Sequence, residues 1–146
     1  MTAHPSGADP LTLEVVDLIG SVVTSYHAEY EQAASQHELT GTQARVIALL
    51  SHQPLPMRRI AERLKCEPSN VTGIVDRLEA RGLVERRPDP ADRRVKLAAA
   101  TERGTEVAAA LRSSMAFAGE PLAELTPRER EALRDLLRRM LDLPPA

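Results

Sequence analysis

Residues 57–100 read MRRIAERLKCEPSNVTGIVDRLEARGLVERRPDPADRRVKLAAA, and the fold of the whole chain is read outward from them. The patterning predicts a helix, a tight turn, a second helix, a strand, a charged tip and a return strand. In the second helix Val71, Ile74, Val75 and Leu78 recur at i, i+3, i+4 and i+7, which lines up one apolar face at helical period. The opposite face carries Ser69, Thr72, Gly73 and Asp76, flanked by Asn70 and Arg77. Short hydrogen-bonding side chains and a glycine, in place of long Lys/Glu pairs, let the backbone of that face come close to a partner. Pro68 suits the first helical position, where its missing N–H costs nothing. The free N–H groups of the same turn carry partial positive charge that suits a phosphate.

The preceding helix shows the same spacing at Met57, Ile60, Ala61 and Leu64. Two short amphipathic helices joined by a tight turn form the unit that sets its second helix in the DNA major groove. Gly82 suits a C-cap. After it Leu83–Arg87 reads as a strand and Val95–Ala98 as its return partner, with Pro88, Asp89 and Pro90 turning the chain between them. Arg93 and Arg94 sit at the tip.

The run PSNVTGIVDRLEARGLVERRPDPADRRVKL, with Asp92-Arg93-Arg94 at its tip and Thr101-x-x-Gly104 after the return strand, resembles the winged helix-turn-helix of the MarR family (multiple-antibiotic-resistance regulators). With long helices on both sides, the resemblance covers the chain from about Leu11 to Leu143. It implies a mainly α protein with a small β-wing, and a first helix that joins the last two in a dimer interface. It also implies that Asp92 pairs with Arg94 and shapes the tip. Family members commonly repress transcription and leave DNA on meeting a small phenolic or lipophilic ligand, or an oxidant.

Composition agrees with a DNA-binding helical protein. The 146 residues include only three aromatics, Tyr26, Tyr30 and Phe117, so the core must come from aliphatic side chains. The net charge is −2, yet residues 57–96 hold eleven basic against seven acidic groups, while the rest holds eight against fourteen. A basic module inside an acidic chain is the electrostatic footprint of a nucleic-acid binder. No apolar stretch is long enough to span a membrane. The first ten residues lack the basic and apolar regions of a signal peptide, and the single cysteine allows no internal disulfide. Both point to the cytoplasm.

In chain order, residues 1–9 read as a flexible tail and residues 40–100 as the DNA-binding domain, with residues 10–36 and 101–143 as a helical dimerisation region. Asp9 caps a long helix bearing Leu11, Val15, Leu18, Ile19, Val22, Val23 and Tyr26, a stripe too long for a small wing domain to cover. Thr40 with Gln43, and Thr126 with Glu129, match capping boxes. Leu55-Pro56 suits a short third strand. Thr101 suits an N-cap for a helix reaching about Ala118, broken or bent at Gly119 and Pro121. Leu133, Leu136, Leu137, Met140 and Leu141 give the last helix its stripe.

DNA asks for phosphate neutralisation and base-edge contacts. The residues expected at the duplex are Pro68, Ser69, Asn70, Thr72, Gly73 and Arg77 from the second helix and Asp92, Arg93 and Arg94 from the wing. Arg77 can pair bidentately with guanine, and Arg94 suits a narrow minor groove. Asp76 is expected to orient Arg77 or a neighbouring arginine. Arg58, Arg59, Arg86, Arg87 and Lys96 are general phosphate candidates. Partners are then double-stranded DNA and a second copy of the chain, reading a pseudo-palindrome. His27, Tyr30, Arg45 and Met115 are candidates for an effector pocket on spacing alone. Cys66, beside Glu67, reads as a small buried hydrophobe rather than a redox sensor. The four histidines are scattered, so neither metal nor cofactor is expected. Enzyme motifs such as a phosphate loop, Gly-x-Ser-x-Gly or His-Glu-x-x-His are absent from the sequence. The alternatives are a winged helix kept as a protein–protein module, disfavoured by Arg77, Arg93 and Arg94, and a transcriptional activator, which uses the same residues.

Overall fold

Asp9 starts the first helix, α1 (Pro10–Ser35), by accepting from the Thr12 N–H at 3.1 Å and the Thr12 hydroxyl at 2.6 Å. These bonds from Thr12 hold the Asp9 carboxyl below the ordinary aspartate range. Thr40 starts α2 (Gly41–Leu50) with the expected capping box: its hydroxyl accepts from the Gln43 N–H, and the Gln43 side chain accepts from the Thr40 N–H. Then come β1 (Leu55–Pro56), α3 (Met57–Leu64), α4 (Pro68–Ala80), β2 (Val84–Pro88), β3 (Lys96–Ala100), α5 (Glu102–Ser114), α6 (Glu120–Ala123) and α7 (Pro127–Met140). This computed structural model describes residues 7–115 and 120–146, and the chain divides into two units, Met1–Ser114 and Met115–Ala146.

In the first unit the core is aliphatic, as the shortage of aromatics requires. Ile47, Ile60, Val71, Val75, Leu78, Leu83, Val84 and Leu111 are fully buried, and no charged side chain is buried among the described residues. Helix α1 joins this core only through its last turns, where Tyr30, Ala33 and Ala34 are buried against α2 and α5. The three strands form an antiparallel sheet in the order β1-β3-β2. Leu55 pairs with Ala98, and the wing ladder runs from Val84 opposite Ala100 to Pro88 opposite Lys96.

Both wing strands sit slightly later than the sequence predicts, and backbone bonding gives the reason. Gly82, at φ +72°, closes α4 in a Schellman arrangement in which its N–H reaches Glu79 and the Leu83 N–H reaches the Leu78 carbonyl. Leu83 is thereby committed to the helix cap, and pairing begins at Val84. Pro88 ends β2 without loss because β2 is an edge strand. Val95 belongs to the turn: its N–H bonds the Asp92 carbonyl and its carbonyl accepts from Asp89. Helix α5 ends at Ser114, short of the expected Ala118, where the Ser113 and Ser114 hydroxyls bond carbonyls of the preceding turn. Phe117 and the expected break at Gly119 lie outside the described residues.

The Thr101-x-x-Gly104 pattern acquires a structural reason. The Thr101 hydroxyl donates to the Gly82 carbonyl at 2.6 Å and accepts from the Gly104 N–H at 3.1 Å, tying the start of α5 to the end of α4. Gly104 lies so close to the Leu83 carbonyl that a β-carbon there would sit 2.0 Å from its oxygen. In the second unit Thr126 and Glu129 form the second capping box, with Pro127 opening α7. Every apolar residue of the α7 stripe is left at least 37% exposed, as are Leu11, Val15, Leu18, Ile19, Val22 and Val23 of α1.

Gly104→Ala is expected to destabilise the protein by about 1–3 kcal/mol, because backbone must move to admit the methyl group. Chemical denaturation of the variant beside wild type measures it, and an unchanged midpoint would contradict the close packing.

Candidate nucleic-acid interface

The recognition surface is built from the side of α4 that the core leaves free. Val71, Val75 and Leu78 are fully buried and Ile74 half-buried, which turns Ser69, Asn70, Thr72, Asp76 and Arg77 to the outside. Three residues, Lys65 to Glu67, separate α3 from α4. Lys65 takes the left-handed conformation at φ +51° to make the turn tight. Pro68 occupies the first helical position, and no side chain caps the α4 N-terminus. Thr72 is exposed, and its hydroxyl back-bonds to the Pro68 carbonyl at 3.2 Å.

Gly73 lies in mid-helix, where glycine costs about 1 kcal/mol relative to alanine. A β-carbon at this position would meet nothing within 4 Å. The fold itself does not ask for the glycine. It lines an open groove of about 510 Å³ together with Ser69, Asn70, Ile74 and Arg77 of α4, Thr40 and Thr42 at the start of α2, and Cys66 from the turn. Nothing in the sequence marks the two threonines for this face, where Thr40 reads only as a cap. Cys66 corrects an expectation: it is half-buried at this groove rather than enclosed in the core.

At the wing tip Arg94 donates from Nε to Asp92 Oδ1 at 3.2 Å, and the same oxygen accepts the Arg94 backbone N–H at 3.1 Å. The carboxylate thus fixes the turn, while the Arg94 side chain remains 92% exposed. Arg93 is exposed beside it. Asp89 shapes the other side of the tip by accepting from the Ala91 N–H at 2.9 Å.

Two arginines of the basic module are spoken for internally. Arg86, expected among the phosphate candidates, instead donates to Asp76 at 2.5 Å and Glu79 at 3.0 Å with its side chain largely covered. Burial alone would lower its pKa, but the bonds to Asp76 and Glu79 outweigh burial and raise it. Asp76 therefore orients a neighbouring arginine rather than Arg77. Arg81 donates to the His37 and Glu38 carbonyls at 2.8 Å, closing the α1–α2 turn. Arg58, Arg87 and Lys96 are exposed, and exposed Arg59 pairs with Glu62 at 3.4 Å.

None of the effector candidates lines this groove. Tyr30 is buried, with the Tyr26 ring edge-on at 5.4 Å, and His27 is exposed with its ring 6.0 Å from that of Tyr26. Burial and Tyr26 raise the Tyr30 pKa, against the opposing pull of Arg45 and Arg112. Both arginines are thus electrostatic neighbours of the phenol, and Arg112, which also bonds Ser51 Oγ at 3.3 Å, was not foreseen. Arg45 is half-buried on α2, and Met115 belongs to the second unit. Among the described residues no group of three or more His, Cys, Asp or Glu is placed to hold a metal, and no helix is long and apolar enough to cross a membrane.

Known proteins share this arrangement. Residues 37–95 match the family model described as MarR family. The HTH-type transcriptional repressor NicR of Pseudomonas putida is 33% identical over 138 residues, covering 90% of this chain and 85% of its own. CouR from Rhodococcus jostii, solved bound to p-coumaroyl-CoA, superposes with a TM-score of 0.80 at 29% identity, over 91% of this chain and 95% of that one. A mutant MarR from E. coli, solved with operator DNA, shares the fold at a TM-score of 0.71 and 23% identity, over 93% of this chain and 99% of that one. The chain is accordingly a member of the MarR family, winged helix-turn-helix transcriptional regulators that bind DNA and are not enzymes.

Proposed function

We propose that this chain is a homodimeric repressor that reads a pseudo-palindromic operator and is released from it by a small aromatic or lipophilic ligand. The observation that carries the reading is the pairing of two presented surfaces: the small polar face of α4 and the exposed Arg94 at the wing tip. Pro68, Ser69, Asn70, Thr72, Gly73 and Arg77 enter the major groove, with Arg77 pairing to a guanine. Arg94 enters the adjacent minor groove, shaped by Asp92 and accompanied by Arg93. The name of NicR supports repression. A protein that acts on chromosomal operators would work in the cytoplasm.

A dimer follows from the same physics. Leu18, Ile19, Val22 and Val23 of α1 and Leu136, Leu137 and Met140 of α7 are large apolar side chains left open to water. Contiguous apolar stripes of this length mark association surfaces. A second copy also brings a second α4 to the duplex, about 34–36 Å away for successive major grooves. The p-coumaroyl-CoA bound to CouR supports an aromatic effector. Here such an effector would lie near Tyr30, Arg45 and His27, and its binding would alter the spacing of the two recognition helices.

Fluorescence anisotropy on duplex from the chain's own upstream region, across a salt series, tests the DNA reading. Arg77→Ala is expected to cost about 1–3 kcal/mol of operator affinity per half-site and relax discrimination at one base pair in each half-site. Arg94→Ala is expected to weaken binding and reduce the salt slope by about 1 per protomer. Binding no tighter than to random duplex, in wild type as in the variants, would overturn the reading.

Gly73→Ala separates folding from function. The variant should be as stable as wild type or up to about 1 kcal/mol more stable, since the helix gains propensity in open space. It should nevertheless bind operator more weakly, because the methyl group stands between the helix and the base edges. Undiminished operator affinity would remove Gly73 from the interface.

The dimer is tested by sedimentation at micromolar concentration, where wild type should run at twice the chain mass. Leu18→Asp combined with Leu137→Asp should shift it toward monomer and weaken operator binding in parallel. A monomeric wild type would refute the dimer.

A further inference from the structure

We propose that Arg86 is a positioning residue that ties the wing to the recognition helix, so that α4 and the wing tip engage DNA as one rigid reader. Along β2 the side chains alternate: Val84 is buried, Arg86 half-buried, and Glu85 and Arg87 exposed. Arg86 therefore continues the core-facing side of the strand one step beyond the last buried residue. Between Glu85 and Leu97 no residue is fully buried, so the outer wing has no core of its own. At this last step the guanidinium reaches across to α4 and bonds two carboxylates spaced i, i+3, Asp76 at 2.5 Å and Glu79 at 3.0 Å. Asp76 is the immediate neighbour of Arg77 on that helix.

The geometry has two consequences. A planar guanidinium held by two acids one helical turn apart fixes direction as well as distance, which a single ion pair to a flexible side chain does not. The wing is thereby held at one angle to α4, and Arg94 presents itself at a set reach from Arg77. The clamp also absorbs two negative charges from the helix that must approach phosphates. A direct phosphate role for Arg86 is replaced by an indirect one, acting through Arg94 and Arg77.

This inference rests on the reading that Arg94 contacts operator DNA, and a double-mutant cycle tells the two apart. Operator affinity would be measured by anisotropy for wild type, Arg94→Ala, Arg86→Met and the double variant, with circular dichroism and thermal unfolding showing that each is folded. If Arg94→Ala costs about tenfold in the wild-type background, it is expected to cost under about threefold in the Arg86→Met background, where the wing is no longer held at the groove. Arg86→Lys, which keeps the charge but lacks the planar fork, should fall between the two. Asp76→Asn should weaken binding even though it removes a negative charge beside DNA. A coupling role would be overturned by equal Arg94→Ala losses in both backgrounds, or by Asp76→Asn binding as tightly as wild type. An Arg94→Ala without effect in the wild-type background would overturn the wing contact and this inference with it.

Discussion

Burial of one face of α4 is the constraint from which the rest of the molecule follows. Val71, Val75 and Leu78 are wholly removed from water. At roughly 1.5–3 kcal/mol for each large aliphatic side chain buried, they dominate the placement of a thirteen-residue helix. Because helical periodicity ties one face to the other, burying this stripe leaves Ser69, Asn70, Thr72 and Arg77 no option but to face outward. The helix end is held with equal firmness. The Schellman closure at Gly82 and the Thr101 bridge to the Gly82 carbonyl lock α4 to the first turn of α5.

The wing obeys different physics. It has no buried residue beyond its root, so its conformation comes from hydrogen bonds and charge rather than apolar packing. Asp92 serves two donors of Arg94, and Asp89 and Val95 close the turn beneath them. Exposed ion pairs of this kind stabilise little. Their effect is geometric: they choose one shape for a hairpin whose tip must carry an unshielded arginine. The Arg86 clamp sits at the boundary between the two regimes, where packing gives way to electrostatics.

Much of this was legible in the residues because local rules governed it. The caps at Asp9, Thr40 and Thr126 depend on a side chain and the backbone three residues on, and each appears where the sequence predicts it. The apolar stripe of α4, the third strand at Leu55-Pro56 and the wing ladder belong to the same class. Strand starts lie one position later than the sequence predicts because Leu83 is claimed by a helix cap and Val95 by the wing turn, competitions that neither segment reveals alone. Cys66 lines the groove rather than the core, a distinction its weak polarity does not signal.

Sequence by itself determined the family, the succession of elements and the small polar face of α4, since periodicity, capping and turn chemistry act over a few residues. It also separated the basic module from its acidic surroundings. Only the tertiary structure decided which arginines remain available. Arg81 and Arg86 are consumed by partners 43 and 10 residues away, the Glu38 carbonyl and Asp76, while Arg94 stays exposed. The same holds for Gly104, needed for its approach to Leu83, and Gly73, which the fold leaves in open space. A charge or a glycine looks alike in every context along the chain, and its role is set by what the fold brings opposite it.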